Sequence, residues 1–523
     1  MHLQATLFFS LCAFLSQTAA PALPAPDAAV TRAELEHHVR FLASDELAGR
    51  APLTPGMERA AEYLAAALAS FGCEPAGENG SFFQDTGRRR VSTAKKPELR
   101  FWREDESLVV AELGLDFTLR PRGAARSTGK LPLRFFYDYN HARMPLTGNG
   151  AEALYFSGSK PDKQRILAEK GIASLADWGL EFELMPGEKG REPGEPKEQP
   201  ERITEGGEAE GCELVELRGK LLTDFERRAF THVELVLEEV QAPYHDRNVV
   251  ARVVGVGTSA QPELAEEVVL LSAHYDHLGI RKSPRKERTD DIYNGADDDA
   301  SGCAALLELA QAFARGPKPA RTLVFLFTTA EESGGHGSRR YIAAPAAPLA
   351  RTVANLNLEM LGRPDELAGG TGKLWLTGFQ RSNLGSELAA RGLAIVADPR
   401  PQENFFTRSD NYAFALEGVV AQTLSSFALH AEYHTARDEA DTLDYAHLEG
   451  ATKLAHEAAR LLADGSLRPA WNEGKMPEKR SAATATPRTE EQEAAEREKR
   501  RVEREQFKAR REKKEEDEGG EPK

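Results

Sequence analysis

Residues 268–276 read Val268-Val269-Leu270-Leu271-Ser272-Ala273-His274-Tyr275-Asp276. A short run of consecutive Val and Leu is the mark of a strand covered on both faces, as in a parallel sheet between helix layers. The same texture recurs along the second half of the chain. Residues 248–254, 267–274, 321–328, 353–359 and 419–424 are predicted strands, and 301–313 a predicted helix. Strands alternating with helices predict an α/β fold, a three-layer sandwich around a mixed, largely parallel central sheet. Upstream, 31–44 and 54–71 carry the period of amphipathic helices. The second has Thr54 as N-cap, Pro55 at the first helical position and Gly72 just past the end.

Between these blocks the texture changes. Residues 107–113, 131–137 and 153–156 are strand-like, 160–170 is helix-like, and 187–211 is Gly, Glu, Pro and Lys with hardly an apolar residue, the composition of a flexible loop. The region 97–243 therefore reads as a smaller β-rich domain inserted into the α/β domain, which comprises 30–96 and 244–465. At the N-terminus, the apolar run Leu7 to Leu15 is too short to span a membrane and leads into small residues and a Pro-Ala stretch. Residues 1–20 are thus expected to be a signal peptide, and the protein to be secreted or periplasmic with no stable membrane anchor. At the other end, 466–523 is a charged tail, helical or disordered, with no apolar pattern to bury.

Across all 523 residues the formal net charge is −16. That balance argues against a nucleic-acid partner, since phosphate attraction needs a basic surface. The four cysteines, Cys12, Cys73, Cys212 and Cys303, are too few for a disulfide scaffold. Cys303 opens an apolar helix and reads as core, not as a nucleophile. No Gly-x-Ser-x-Gly elbow and no His-Glu-x-x-His pair is present.

Chemistry-bearing residues cluster where predicted strands end, which is where open α/β sheets bind ligands. His274 closes one strand, with Asp276 two residues on to orient an imidazole. Asp297, Asp298 and Asp299 precede a helix; a helix cap accounts for one carboxylate and a cation for the cluster. Glu331 and Glu332 end a core strand, Glu359 ends another, and His434 lies in a polar loop. Each alone is commonly structural. Together, imidazoles and carboxylates at the ends of one sheet suit zinc or a similar ion, with a carboxylate able to bridge two.

The ordered series His-x-Asp, Gly-Ala-Asp-Asp-Asp-Ala-Ser-Gly, Glu-Glu, Asn-Leu-Glu-Met and Tyr-His-Thr, with the segment His37–Gly49, resembles the co-catalytic di-zinc exopeptidases of the leucyl aminopeptidase and glutamate carboxypeptidase family. The resemblance covers about residues 30–96 and 245–463, and makes the inserted block the counterpart of a protease-associated domain. It implies two Zn²⁺ ions per chain, with Asp298 bridging, His274 and Glu359 completing one site, and Glu332 and His434 the other. Glu331 would be the general base and Asp276 the orienter of His274. The implied activity is a zinc-dependent exopeptidase acting on peptides, an aminopeptidase using a zinc-bridged hydroxide. The alternatives are a carboxypeptidase, a glutaminyl cyclase or a non-catalytic receptor-like relative. The family usually has Asp where Glu359 stands, often His at Asn411, and in some members Tyr near Phe406.

Overall fold

The computed structural model describes residues 29–93, 97–113, 116–120, 127–136, 153–156, 180–184, 202–204, 213–217, 219–281 and 290–479. The expected signal peptide, the helix-like stretch 160–170 and the tail beyond 479 lie outside these. Two amphipathic helices open the described chain, α1 (Arg32–Leu42) and α2 (Pro55–Phe71). The Thr31 and Thr54 side chains each accept a bond from the backbone N–H three residues on, and Gly72 ends α2 in the left-handed conformation.

Nine strands build the central sheet: β1 (Glu74–Pro75), β2 (Phe83–Asp85), β3 (Arg247–Val253), β4 (Val268–His274), β5 (Thr322–Thr328), β6 (Thr352–Leu358), β7 (Leu374–Leu376), β8 (Ile395–Ala397) and β9 (Ala421–Ser425). The order across the sheet is β1-β3-β5-β4-β6-β9-β7-β8, with β2 also on β3. Strands β5, β4, β6 and β9 run parallel, and β3 and β7 join them antiparallel. The sheet is thus mixed and its centre parallel. Four pieces, β1, β2, β7 and β8, were not expected from sequence, because two or three residues carry too little pattern to read.

Alternate residues of β4 enter two separate cores, as a pleated strand covered on both faces requires. Val269, Leu271 and Ala273 pack with α1, α2, α3 (Gly302–Arg315) and a last helix, Tyr445–Ala463. Val268 and Leu270 pack on the opposite side with Tyr341 of α4 (His336–Ala343) and Phe414 of α5 (Asn411–Leu416). Each buried Val, Leu or Phe side chain here contributes about 1.5–3 kcal/mol.

The intervening region carries a separate core. Strands between Glu98 and Val236 form an eight-stranded mixed sheet, over which Leu99, Phe101, Val215, Phe225, Val233 and Leu235 are buried together. A small antiparallel sheet joins Arg89–Thr93, Arg202–Thr204 and Glu239–Gln241. Arg202–Thr204 falls in the stretch expected to be loop. Its three residues, Arg-Ile-Thr, suit a strand, and the polar residues around them hid the signal. The chain after the last helix also differs from expectation. Leu467 is buried, Trp471 lies against Phe406, and the Trp471 indole N–H donates to the Gly418 carbonyl at 3.0 Å. Among the described residues, then, 466–479 packs on the α/β body. No helix among the described residues is long and apolar enough to cross a membrane.

Candidate metal centre

The parallel register sets the site. His274 is level with Thr328 at the ends of β4 and β5. Ser272 pairs with Asn357, so Glu359 leaves β6 level with His274. Glu331 and Glu332 follow β5 by a few residues, and His434 reaches in from the loop after β9. Over their ends opens a cleft lined by Asp298, Glu331, Glu332, Glu359 and His434 and walled by Met360, Trp375, Phe405, Phe427 and Tyr433, with Arg408 also present.

Asp298 stands at the centre. One of its carboxylate oxygens lies 3.1 Å from His274 Nε2 and the other 3.1 Å from His434 Nε2. His434 Nε2 is also 3.0 Å from Glu332 Oε1. Burial raises the Asp298 carboxyl, but the hydrogen bonds from His274 and His434 outweigh it and hold the group well below its ordinary value. Burial pushes the carboxyl of Glu331 well above the ordinary range, and that of Glu359 up to about 7. Glu359 accepts from Asn357 Nδ2 at 3.1 Å and from the Ser409 hydroxyl.

The three adjacent aspartates, expected to share a cation, point in different directions. Asp297 Oδ1 accepts from the Gly362 N–H at 2.7 Å, and its other oxygen faces His430 at 2.9 Å. Asp299 Oδ1 accepts from the N–H groups of Gly302 and Met360, both at 3.0 Å, capping α3 from three residues upstream. Only Asp298 joins the His–Glu cluster. His430, Arg363 and the Gly362 amide hold Asp297, and two backbone amides hold one oxygen of Asp299. Asp276 lies against His274, as expected, and has further partners. Its carboxylate accepts from the N–H groups of Glu331 and Glu332, at 3.0 and 3.3 Å, and lies 3.7 Å from His274 Nδ1. The nearer partner of that nitrogen is the Asp276 carbonyl, at 3.1 Å. The residue therefore orients the glutamate pair at least as directly as the imidazole.

Several residues of the site were not singled out in the sequence. His277 is fully buried beside Glu332, with Nδ1 3.0 Å from Glu332 Oε1. His277, Asp298 and Glu332 present donor atoms within 4.8 Å of one another, a spacing that one ion could share. The available signal was a second imidazole three residues after His274. Asp438 accepts the N–H groups of both Asp297 and Asp298. Buried Arg50 donates to the carbonyls of Tyr275 and Gly295, each at 2.9 Å, tying the two ligand-bearing loops together. Nothing local marks either residue, since their partners lie far along the chain. Asn411, by contrast, is spent inside the fold: it donates to the Phe406 carbonyl and accepts from Thr423. Phe406 packs on Arg381 and Trp471. The aromatic hydroxyl at the cleft is that of Tyr433, whose ring stacks on His434 with centroids 3.9 Å apart. Cys303 is buried and donates to the His274 carbonyl, which bears out its reading as core.

The donor set fits a first-row metal. His277 Nδ1 and Glu332 Oε1 are buried with no hydrogen-bond partner among the described residues, although imidazole nitrogens and carboxylate oxygens face one another at 3.0–3.1 Å. Buried polar atoms left so are costly, and a cation between them removes the cost.

A model of Peptidase family M28 matches residues 248–459. A probable zinc metalloprotease of Pyricularia oryzae is 33% identical over 168 residues, covering 30% of this chain and 28% of that protein. Endoplasmic reticulum metallopeptidase 1 of Mus musculus is 34% identical over 100 residues, 19% of this chain and 10% of that protein. The chain thus spans less than a third of the length of these curated relatives. Among solved structures, an aminopeptidase from Aneurinibacillus sp. strain AM-1 is 16% identical, with a TM-score of 0.43 over 86% of this chain and 96% of that one. A zinc aminopeptidase from Bacillus subtilis is 14% identical, with a TM-score of 0.43 over 88% and 99%. The region that matches peptidase family M28, residues 248–459, contains in order every residue from His274 to His434 that gathers at the cleft.

Proposed function

We propose that the protein is a zinc-dependent exopeptidase, an aminopeptidase that binds two ions per chain and removes N-terminal residues from peptides. The observation that carries this reading is the split carboxylate of Asp298, one oxygen toward His274 and the other toward His434, each at 3.1 Å. His274, Glu359 and Asp298 would hold one ion, and Glu332, His434 and Asp298 the other. Bound zinc supplies acidification of water and polarisation of the scissile carbonyl.

The rest falls to the chain. Glu331 lines the cleft next to the metal-facing Glu332 and serves as general base, taking a proton from the attacking water and passing it to the departing amine. Asp276 holds the backbone of both glutamates, so Glu332 and Glu331 are fixed relative to one another. Carboxylates at the cleft suit a free α-amine. Trp375, Phe405 and Phe427 line an apolar wall that suits a side chain and excludes water.

Arg408 favours a second reading, since a guanidinium at the cleft is a partner for a carboxylate, as a carboxypeptidase needs. A panel of peptides with free or acetylated N-termini and free or amidated C-termini separates the two. Aminopeptidase action predicts loss of turnover on acetylation and tolerance of amidation; the reverse pattern assigns carboxypeptidase polarity. Turnover of none of the panel by zinc-loaded protein would favour a non-catalytic relative. Export forms part of the proposal and rests on the short apolar run at residues 7–15 and the small residues after it. Mass spectrometry of native protein is expected to find the chain beginning near 21–28, and an intact Met1 would contradict this.

A further inference from the structure

His277 has no part in the roles assigned above. Its side chain is fully inaccessible, and neither ring nitrogen has a hydrogen-bond partner among the described residues. The ring is nevertheless pinned. The His277 N–H donates to the Arg50 carbonyl at 3.2 Å, and a Cβ at Gly295 would lie 2.5 Å from its Cγ. Gly295 therefore leaves the space that the imidazole fills, and any side chain there would displace it. So placed, Nδ1 lies 3.0 Å from Glu332 Oε1 and 3.9 Å from Asp298 Oδ2. His434 Nε2 faces the same two oxygens at 3.0 and 3.1 Å. His277 Nδ1, an oxygen of Asp298 and an oxygen of Glu332 thus lie within 4.8 Å of one another, and His434 Nε2 approaches the same two oxygens from its own loop. Ligands of a tetrahedral zinc with bonds of about 2.0–2.1 Å stand about 3.3 Å from one another, in the middle of these separations.

We propose that His277 Nδ1 is a direct ligand of the ion held by Glu332, His434 and Asp298. That site then has four protein donors, the closed set of a tightly held zinc, with Nε2 left as the protonated nitrogen of a neutral imidazole. The site of His274, Glu359 and Asp298 has three, and keeps the open position that a reacting site needs.

The assignment rests on the two-metal reading, and its test separates the two. Zinc is titrated into chelator-stripped full-length protein against a chromogenic chelator, and X-ray absorption at the zinc edge counts imidazoles in the loaded protein. The wild type is expected to show three imidazoles for each pair of ions. His277→Ala should remove one of them and weaken the tighter site by more than the roughly 10–100-fold that loss of an outer hydrogen bond costs. His277→Gln, which can still donate to Glu332, should not restore that affinity. Two imidazoles in the wild type, or affinity restored by Gln, would make His277 a hydrogen-bond donor to Glu332 and overturn the proposal. Should the variants fail to fold, the wild-type spectrum decides alone. Zinc binding by neither wild type nor variants would instead overturn the metal reading itself.

Discussion

Glu331 and Glu332 are neighbours in sequence with different surroundings. Glu332 faces two imidazoles at 3.0 Å, whereas burial holds the Glu331 carboxyl well above its ordinary value, with the Glu359 and Asp410 carboxylates adding to the effect. Glu331→Gln keeps the size and hydrogen-bonding capacity of the side chain but cannot accept a proton. It should leave zinc content and melting temperature near wild type and lower turnover by about two to four orders of magnitude. Normal turnover would remove Glu331 from the base role, and loss of zinc would exchange the roles of the pair. Much of this site was legible in sequence, because ligand chemistry is a property of residue type and strand ends are readable. What was not legible follows from direction. Adjacent aspartates 297–299 look equivalent in sequence, yet backbone amides from Gly302, Met360 and Gly362 claim two of them. His277 was hidden for the same reason, since an imidazole in a loop declares nothing about where it points.

The loop of Asp298 joins Gly295 to α3 and is held from outside by Asp438, whose two oxygens accept the N–H groups of Asp297 and Asp298 at 3.0–3.1 Å. The same carboxylate lies 3.0 Å from Arg363. Asp438→Ala leaves two buried amides unpaired and removes a partner of Arg363, and the two amides alone cost about 2–6 kcal/mol from penalties of about 1–3 kcal/mol for each unsatisfied group. Urea titration of the metal-free protein should show that drop, and zinc affinity should fall by roughly 10–100-fold because the ligand loop is no longer fixed. Unchanged affinity in a destabilised variant would make Asp438 a purely structural residue. The longer elements were readable from their periods and caps, as Thr54, Pro55 and Gly72 around α2 illustrate. The two- and three-residue strands β1, β2, β7 and β8 were not, because pairing partners rather than local pattern make them strands.

At the scale of the molecule, the α/β body depends on a polar contact buried beneath α1. His38 is fully buried with Nδ1 2.7 Å from the Tyr63 hydroxyl, and burial lowers its pKa to about 4. An unfolded histidine titrates near 6.5, so between about 4 and 6.5 the unfolded chain binds more protons than the fold. Stability then rises with pH through this window and is lost as pH falls, by about 3 kcal/mol from this residue. Denaturation midpoints across that range should show the slope, and His38→Gln should flatten it; an equally steep slope in the variant would assign the acid sensitivity elsewhere. The α/β sandwich and the separate β-rich region were both visible in how apolar residues alternate. The packing of 466–479 was not, because Leu467 and Trp471 are isolated apolar residues in a polar stretch and only their partners make them core. The central claim is that metal held around Asp298 makes this chain a peptidase. Its most direct measurement is a zinc titration of chelator-stripped protein in which bound metal and hydrolysis of a free-amine peptide are followed together. The account predicts no turnover without metal, turnover rising with bound zinc, and saturation at two ions per chain. Stripped protein that cleaves the peptide as fast as the zinc-loaded form would contradict it.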